Sequence, residues 1–424
     1  MIDIKALRAE SEKYIRGARL KRINVDIPAL LDLDAKLMNA SRELQEIRTA
    51  QNQAGKDIAQ LAGDQKKQAI AKMAELKARA KQLGDMVTQL EPQFNEQMLL
   101  VPQPPAPEVP EGKDDTENVQ LRVEGELPKF DFEPKDHVQL GESLDIIDIP
   151  RGVKLAGSRN YVLKGAGAML HYAILRLAVD QMLAKGYTLL NVPVLVNESV
   201  MYGTGYFPTG REQAYLAERD SLSLVGTAEV PVTAYHSDEI LEESQLPRKY
   251  IAMSTCFRRE AGAAGKDTYG LYRIHIFDKV EQVVIGPNDE QRSIELHQEI
   301  LRNSEDVLKA LELPYRVVNV CSGDLGQGQV QKFDIETWMP SRKNYGETHS
   351  ASRFHEFQAR RLNLRYRGQD GKVRYCHTLN NTVIASPRIL IPVLEMYQNA
   401  DGTVTVPKAL RKYMNEMTII KPAS

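Results

Sequence analysis

Cysteine, tryptophan and long apolar runs are scarce in this chain, and neither charge is in excess. Its 424 residues include 3 cysteines and 1 tryptophan, and 55 lysines and arginines face 57 aspartates and glutamates. The cysteines lie more than fifty positions apart, which excludes a zinc site built on closely spaced cysteine pairs and suits a reducing compartment. The near-zero net charge excludes a general electrostatic attraction to nucleic acid or to a membrane surface.

No run approaches the roughly 18–20 apolar residues of a membrane span, and the charged residues 1–10 lack the apolar core of a secretion signal. We therefore expect a cytoplasmic protein with no membrane partner. Apolar residues make up 42% of the chain and charged residues 26%, which is the balance of a soluble globular protein. A chain of 424 residues is expected to form two or three domains.

The first hundred residues predict a helical hairpin. Apolar side chains recur with heptad spacing in two segments, and a Gly63-Asp64 turn signal lies between them. A repeat of about 3.5 residues keeps one seam facing a partner helix, as in a left-handed coiled coil. We predict an N-terminal domain over residues 1–100, containing an antiparallel hairpin with arms of about 28–62 and 65–98. The predicted seam positions are Leu30, Leu33, Leu37, Ala40, Leu44, Ile47, Gln51, Ala54, Ile58 and Leu61, then Ala69, Met73, Leu76, Ala80, Leu83, Val87, Leu90 and Phe94.

Outside its seam the hairpin carries more basic than acidic side chains. Residues 36–90 include ten lysines and arginines but six aspartates and glutamates. Two interpretations stay open on these residues alone. One is a solvated coiled-coil surface, which the composition by itself favours, and the other is an arm that contacts nucleic-acid phosphates.

Five prolines between residues 102 and 110 separate the hairpin from the rest of the chain, and they predict an extended linker over 101–120. In residues 121–424 the predicted strands follow one another in runs, which indicates an α+β domain built on a mostly antiparallel sheet. Neither a GxGxxG turn after a strand nor a P-loop is present. Strands are predicted at 188–196, 222–226, 249–258, 275–286, 314–321, 331–338, 374–379 and 404–406, and helices at 167–185, 288–312 and 386–398.

Charged and aromatic side chains alternate with apolar ones along two of these strands. Arg258 and Glu260 are expected on one face, and Phe277 and Glu281 on one face of the next strand, after a glycine-rich loop. Such groups are costly on a sheet unless a polar ligand satisfies them. A purine triphosphate would do so, with the ring against the base and the guanidinium on a phosphate. A surface ladder of ion pairs explains the same residues equally well.

The order of these segments resembles the class II aminoacyl-tRNA synthetases. Residues 257–260 (Phe-Arg-Arg-Glu), their loop and residues 273–281 resemble motif 2. Residues 380–388 and the helix after them resemble motif 3, and the helix and strand around Pro193 resemble motif 1.

Two further segments narrow the resemblance to the seryl-tRNA synthetase family, namely Thr-Ala-Glu at 227–229 and Phe-Gln-Ala-Arg-Arg at 357–361. The N-terminal hairpin agrees, because that family carries a long coiled-coil arm. The resemblance covers essentially the whole chain. It implies a homodimer with an antiparallel class II catalytic core over residues 121–424 and a tRNA-binding domain over residues 1–100. The implied reaction uses ATP and Mg²⁺ to activate L-serine as seryl-adenylate and transfers it to the 3′ end of tRNA(Ser), with tRNA(Sec) as a further expected acceptor.

The resemblance also assigns roles to individual residues. Arg258, Glu260 and Arg388 would be catalytic: Arg258 on the α-phosphate, Glu260 on the adenine amino group, and Arg388 on the γ-phosphate and on the adenine face opposite Phe277. Glu347 and Ser350 would hold Mg²⁺. The implied ATP-binding residues are Arg258, Arg259, Glu260, Phe277, Glu347, Thr348, His349, Ser350 and Arg388. The implied serine-binding residues are Thr227, Ala228, Glu229, Glu281, Asn380 and Thr382.

Two segments depart from the family pattern. Residues 380–383 read Asn-Asn-Thr-Val where bacterial members often have Asn-Gly-Ser-Gly, so a threonine replaces a serine of the amino-acid pocket. Residues 347–353 read Glu-Thr-His-Ser-Ala-Ser-Arg, in which His349 and Arg353 are unusual. Two alternatives stay in view. One is a synthetase-derived ligase that loads an amino acid onto a carrier protein, against which the basic arm argues. The other is a non-catalytic relative that binds RNA or acts as a scaffold, against which the presence of Arg258, Glu260, Glu281, Glu347 and Arg388 together argues.

Overall fold

The structure is a computed structural model that describes residues 1–58, 60–263, 265 and 267–422. Contacts divide the chain into two compact units, Met1–Pro102 and Gln103–Ser424. Among the described residues, no helix is both long enough and apolar enough to cross a bilayer.

The first unit is helical. Two short helices, α1 (Ile4–Ala9) and α2 (Ser11–Leu20), precede two long ones, α3 (Ile27–Ile58) and α4 (Gly63–Leu100). The long helices follow each other closely in the chain and contact each other extensively, so they form a hairpin.

The seam between α3 and α4 follows the heptad pattern. Ala40, Leu44 and Leu83 are buried in it. Arg79 crosses to Glu43 and donates from Nε to Oε1 at 2.7 Å, which fixes the register of two antiparallel helices. Toward the tip of the hairpin, between residues 51 and 76, the described seam side chains are only half-buried. The helix pair is therefore packed most tightly around Leu44 and Leu83.

We expect Leu83→Ala to loosen this hairpin locally. Loss of a buried leucine side chain costs about 2–5 kcal/mol, and the lower end applies to a seam between only two helices. Hydrogen exchange on the full chain should show faster opening of backbone amides around Ala40 and Leu44 than in the parent protein. Met86→Ala, at a position that is 41% exposed, is the matched control. Equal acceleration by both variants would contradict the seam.

The second unit is built around one large sheet, which has eight strands in the described part of the chain. Their spatial order is β1-β5-β6-β7-β8-β4-β3-β2, and all neighbours are antiparallel except β2 and β3. The expected α+β fold with a mostly antiparallel sheet is thus confirmed. The strands are β1 (Val119–Glu124), β2 (Thr188–Leu190), β3 (Arg248–Phe257), β4 (Ile276–Gly286), β5 (Tyr315–Asn319), β6 (Gln331–Met339), β7 (Asn344–Arg353) and β8 (His377–Ser386).

Helices and minor strands surround this sheet. The described α-helices are α5 (His137–Ser143), α6 (Ile149–Ala156), α7 (Gly165–Ala184), α8 (Glu198–Thr204), α9 (Glu229–Thr233), α10 (Glu290–Ala310), α11 (Phe357–Arg361) and α12 (Leu390–Met396). The minor sheets pair Ile147–Asp148 with Val162–Leu163, Val404–Thr405 with Ile419–Ile420, Leu222–Leu224 with both Leu195–Asn197 and Tyr215–Ala217, and Arg365–Arg367 with both Ile240–Glu242 and Val373–Tyr375. Short 3₁₀ helices lie at Asp115–Glu117, Arg211–Gln213, Glu218–Asp220, Ala234–His236, Glu243–Gln245, Ser322–Asp324, Pro340–Arg342 and Lys408–Tyr413.

The core lies between the sheet and helices α7, α10 and α12. Ile174, Leu301 and Leu394, one from each helix, belong to a single apolar cluster with Val280 and Val284 of β4. Because side chains alternate along a strand, the even-numbered residues of β4 face these helices and the odd-numbered ones face the opposite side of the sheet. That opposite side is where charged residues collect.

Residues 101–114, the proline-rich segment, form no helix or strand. Ala106 and Val109 are buried in a small cluster with Val330, just before β6. The backbone N–H of Ala106 donates to the Val330 carbonyl at 2.9 Å. Residues from 103 onward therefore belong to the compact second unit, although we predicted a linker over 101–120.

Two central strands of the large sheet differ from the predicted strand ranges. The predicted strand at 374–379 forms two strands, Val373–Tyr375 and β8, and β8 continues to Ser386. β7 was not among the predicted strand ranges, because most of its residues are polar. β7 and β8 lie at the centre of the large sheet. Polar side chains are tolerated there only if they face a polar group or a polar ligand.

Candidate active site

A β-bulge in β7 aims polar residues at one face of the sheet. Ile335 of β6 pairs with His349 of β7, and the next residue, Glu336, pairs with Glu347, so Thr348 is an extra residue. An extra residue reverses the alternation of side chains. Glu347 and Ser350, three positions apart, consequently project to the same side of the sheet.

A second bulge has the same effect in β8. Val280 of β4 pairs with Ile384, whereas Glu281 pairs with Thr382, which leaves Val383 as the extra residue. Thr382 and Ala385 therefore share one face, together with their partners Glu281 and Lys279.

Between the two bulges the sheet opens. β7 and β8 pair through residues 351–353 and 379–381, and the described pairing stops there. A cavity occupies the space toward the bulges and is covered by residues from the neighbouring loops. Its lining residues are Tyr206, Glu229, Arg258, Glu260, Tyr272, Ile274, Phe277, Lys279, Glu281, Gln329, Glu347, Thr348, His349, Ser350, Ser352, Asn380, Thr382, Ala385 and Arg388.

Most of the site residues expected from the sequence meet in this cavity. On its wall lie Arg258, Glu260, Phe277, Glu347, Thr348, His349, Ser350 and Arg388 of the expected ATP set, and Glu229, Glu281, Asn380 and Thr382 of the expected serine set. The remaining three lie outside the wall. Thr227 is just behind it, accepting a hydrogen bond from Lys279 Nζ at 2.8 Å. Ala228 is buried beneath it, and Arg259 is exposed, donating to the Glu212 carbonyl at 3.4 Å.

One end of the cavity is cationic and aromatic. The Arg258 guanidinium lies over the Phe277 ring, 5.1 Å from its centre, and Arg273 donates to Glu260 at 2.7 Å. We predicted Arg258 and Glu260 to lie on a strand, which was wrong, since β3 ends at Phe257. Glu260 has a φ of 52°, a left-handed conformation that turns the chain into the glycine-rich loop, part of which lies outside the described residues.

Glu347 faces this cationic end. Burial alone would raise the pKa of its carboxyl, but the positive charges of Arg388, Lys332 and Arg258 bring the pKa below the ordinary value. Glu347 is therefore ionised at neutral pH. Its Oε2 lies 4.0 Å from Arg388 Nη1, and half of the side chain remains accessible to a ligand.

The other end is anionic and enclosed. Glu229 accepts hydrogen bonds from Gln358 Nε2 at 2.8 Å and from the Tyr206 hydroxyl at 3.2 Å. Burial, and then the nearby charge of Glu281, raise the pKa of Glu229 to about 7. Burial also raises the pKa of Glu281, and Lys279 opposes that rise through a direct ion pair.

Sequence reasoning missed Lys279, although it lies between the two ends. It donates to Thr227 and, at 3.3 Å, to Thr382, and it is paired with Glu281. Alternation along β4 could have found it, because positions 277, 279 and 281 share a face. Tyr206, Tyr272 and Gln329 were also missed, and they come from loops for which the sequence carries no comparable signal.

His349 is buried next to the bulge of β7 and lines the cavity. Burial lowers the pKa of its imidazole to about 3, so the ring is neutral. Its Nδ1 lies 2.8 Å from the Thr348 hydroxyl. This contact lies within the bulge that aims Glu347 into the cavity.

The residues expected to hold a metal fit Mg²⁺ only together with a substrate. Among the described residues, no group of three or more histidines, cysteines, aspartates or glutamates is placed to hold a metal ion. Mg²⁺ keeps several waters and usually takes one or two protein carboxylates plus substrate phosphates. The ionised, half-exposed carboxylate of Glu347 and the Ser350 hydroxyl on the same face suit that mode.

Comparison with known proteins matches both units. Residues 215–397 match the family model "tRNA synthetase class II core domain (G, H, P, S and T)". The fold and the site thus define a class II aminoacyl-tRNA synthetase.

Residues 1–105 match the model "Seryl-tRNA synthetase N-terminal domain". The serine–tRNA ligase of Deinococcus radiodurans is 42% identical over 99% of both chains, and that of Caldicellulosiruptor bescii is 44% identical over 98% of this chain and 99% of its own. The chain therefore belongs to the seryl-tRNA synthetase family.

Solved structures agree. Seryl-tRNA synthetase from Pyrococcus horikoshii, complexed with ATP, matches with a TM-score of 0.93 and 36% identity over 100% of both chains. The cytoplasmic serine–tRNA ligase from Naegleria fowleri, in complex with AMP, matches with a TM-score of 0.87 and 30% identity over 98% of this chain and 96% of its own.

The buried Glu229 carboxyl makes stability depend on pH in a testable way. Its pKa is about 7 in the folded protein and 4.5 when unperturbed, so the unfolded chain loses this proton first as the pH rises. Stability is therefore lost between these two pH values and is not regained above them. Glu229→Gln has no carboxyl group to titrate at this position. As the pH rises from 5 to 8, its free energy of unfolding should therefore increase relative to that of the parent protein, by up to roughly 3 kcal/mol.

Urea unfolding followed by the fluorescence of Trp338, the single tryptophan, measures this difference at each pH. Glu142→Gln, at an exposed position, is the control and should show no such trend. A constant difference between parent and Glu229→Gln across this range would contradict the assignment.

Proposed function

We propose that this protein activates L-serine with ATP and transfers the seryl group to the 3′ end of tRNA(Ser). The observation that carries the proposal is a cavity with a cationic, aromatic end and an anionic end, in a chain of this family. The serine carboxylate attacks the α-phosphorus of ATP, which gives seryl-adenylate and pyrophosphate. A ribose hydroxyl of the terminal nucleotide then attacks the acyl carbon and AMP leaves.

ATP binds at the cationic end. Arg258 holds the α-phosphate, Glu260 accepts from the adenine amino group, and the base lies between Phe277 and Arg388. Negative charge grows on the phosphate oxygens as the carboxylate attacks, so fixed guanidinium groups stabilise the transition state more than the ground state. The roles of Thr348 and His349 are to hold the bulged strand that carries Glu347. Arg259 is assigned to ATP only by its place in motif 2.

Serine binds at the anionic end. The positive charge of its ammonium group is balanced by the carboxylates of Glu229 and Glu281. Lys279 forms an ion pair with Glu281 and so neutralises only one of the two. Among the described residues, Asn380 Nδ2 is buried without a hydrogen-bond partner, so it can donate to the substrate. The serine hydroxyl reaches the buried carboxylates and Thr382, with Thr227 and Ala228 behind them. Alanine would leave these polar groups unpaired, which is how a site rejects a substrate lacking a hydroxyl.

Mg²⁺ is proposed to bind at Glu347 and Ser350 with the ATP phosphates. When bound, it would neutralise phosphate charge and support the leaving pyrophosphate. Glu347 suits this role because it is ionised and remains accessible beside Arg388.

The hairpin of α3 and α4 is proposed to bind tRNA. Its excess of basic side chains outside the seam supports contact with phosphates. We also propose tRNA(Sec) as an acceptor. An arm that recognises the shape of the tRNA backbone does not read the anticodon, so it can bind a second tRNA that has a different anticodon.

We also propose a cytoplasmic homodimer. Exposed apolar side chains on and beside the segments that resemble motif 1 support a covered surface there. They include Tyr172 on α7, Leu189 on β2 and Met253 on β3, which are 63%, 46% and 45% exposed in the single chain.

Arg258→Ala should nearly abolish serine-dependent exchange of pyrophosphate into ATP. Loss of one preorganised charge that stabilises the transition state lowers rates by about 10²–10³-fold or more. The neighbouring Arg259→Ala should lower exchange no more than a few-fold, because this side chain is exposed and outside the cavity wall. Normal exchange in Arg258→Ala, with Trp338 fluorescence unchanged, would overturn the assignment.

The same assay separates the alternatives on the parent protein. Exchange should be much faster with serine than with alanine or threonine. Serine-dependent exchange without charging of tRNA would favour a ligase for another carrier. No exchange with any of the three would favour a non-catalytic relative.

Shortening the hairpin should separate the two steps of the reaction. Replacing residues 48–79 by a short glycine-serine turn keeps the buried positions Ala40, Leu44 and Leu83. Pyrophosphate exchange with serine should stay within about twofold of the parent, whereas kcat/KM for tRNA charging should fall by about 100-fold as several phosphate contacts are lost. Equal loss of both steps would show that the hairpin stabilises the fold and does not bind tRNA.

A further inference from the structure

We propose that Tyr272 positions Arg388 for the nucleotide, and that Arg342 braces Tyr272 from its other side. The inference rests on the proposed function and adds two residues to its ATP site. Tyr272 lies in the turn between the glycine-rich loop and β4, and Arg342 ends the 3₁₀ helix Pro340–Arg342 between β6 and β7.

The Tyr272 ring carries two guanidinium groups. The guanidinium carbon (Cζ) of Arg342 lies 3.9 Å from the centre of the ring, and the guanidinium carbon of Arg388 lies 4.5 Å from it. Two guanidinium groups do not fit side by side over one six-membered ring at these distances, so we infer that they occupy opposite faces. The negative face of an aromatic ring attracts a cation, most strongly where water is excluded.

Each arginine has a separate anchor, so the stack does not depend on the ring alone. Arg342 donates from Nη2 to Asp267 Oδ1 at 2.6 Å, which ties it to the glycine-rich loop. Arg388 donates from Nε to the Tyr272 carbonyl at 3.0 Å and from Nη1 to the Glu347 carbonyl at 3.0 Å. With both ends held, the ring fixes the plane of the Arg388 guanidinium.

Gly346 makes room for the ring. A Cβ at this position would lie 3.0 Å from Tyr272 Cε2 and 2.9 Å from the Met339 methyl carbon. Both distances are shorter than side chains normally allow. The ring therefore packs against the backbone of β7 next to Glu347, and it lines the same cavity as Arg388.

The consequence is a preorganised arginine. A free arginine side chain would lose rotamer freedom on binding a nucleotide, which weakens affinity. Arg388 in this stack has already lost that freedom. Tyr272 and Arg342 should therefore affect ATP binding while leaving the serine end untouched.

The test compares Tyr272→Leu with Tyr272→Phe in serine-dependent pyrophosphate exchange. Leucine removes the aromatic face, so the KM for ATP should rise about tenfold, equivalent to about 1.4 kcal/mol, which is within the range of one desolvated cation–π contact. The KM for serine should not change. Phenylalanine keeps the ring and should restore the KM for ATP to near the parent value.

Three results would overturn the proposal. They are an unchanged KM for ATP in Tyr272→Leu, a Tyr272→Phe protein as impaired as Tyr272→Leu, or equal rises in KM for ATP and serine. Calorimetric measurement of ATP binding to the same proteins keeps the test valid if the parent protein shows no serine-dependent exchange, a result that would refute the proposed function separately.

Arg342→Gln tests the brace and serves also if Tyr272→Leu does not fold. Alone, it should raise the KM for ATP about threefold by freeing one face of the ring. Combined with Tyr272→Leu, it should add nothing further, because both act through Arg388. Multiplication of the two effects would show that Arg342 acts independently of Tyr272 and would refute the brace.

Discussion

The site depends on a single constraint in the central sheet, which is that β7 and β8 pair over three residues and then separate. Thr348 and Val383, the extra residues of the two strands, lie close to the last paired residues, Ala351 and Asn381. The gap would expose unpaired backbone if it were empty of polar partners. The bulges turn hydroxyl, carboxylate and amide side chains toward this gap, where they supply polar partners. The same side chains can bind a charged substrate.

The separation of charge along the cavity follows from which strands border it. Arg258 and Arg388 come just after the ends of β3 and β8, and both are only partly buried. Glu281 and Lys279 come from the middle of β4, where burial is complete. Burial raises the carboxyl pKa values of Glu281 and Glu229, and Lys279 offsets only part of that cost. An aminoacyl-adenylate has a matching distribution, with an anionic phosphate and a cationic ammonium group.

The sequence predicted the chemistry better than the geometry. Heptads gave the seam around Leu44 and Leu83, since helix periodicity depends only on local spacing. Alternation along β4 placed Phe277 and Glu281 together and would also have given Lys279. The bulges were out of reach, because a bulge depends on which residues oppose one another across two strands.

One departure from the family pattern, Asn381, acquires a physical explanation once the bulges are known. Asn381 stands where the pattern often has glycine, and its amide donates to the Ile300 carbonyl of α10 at 2.7 Å while its oxygen accepts from the Ser304 hydroxyl at 3.1 Å. The same hydroxyl also lies within hydrogen-bond distance of the Thr382 carbonyl, at 2.8 Å. Asn381 thus ties the strand to the helix behind it at the residue before Thr382, which must aim its hydroxyl into the cavity. A glycine would leave that segment freer, so the side chain at 381 stabilises the geometry that the bulge at Val383 creates.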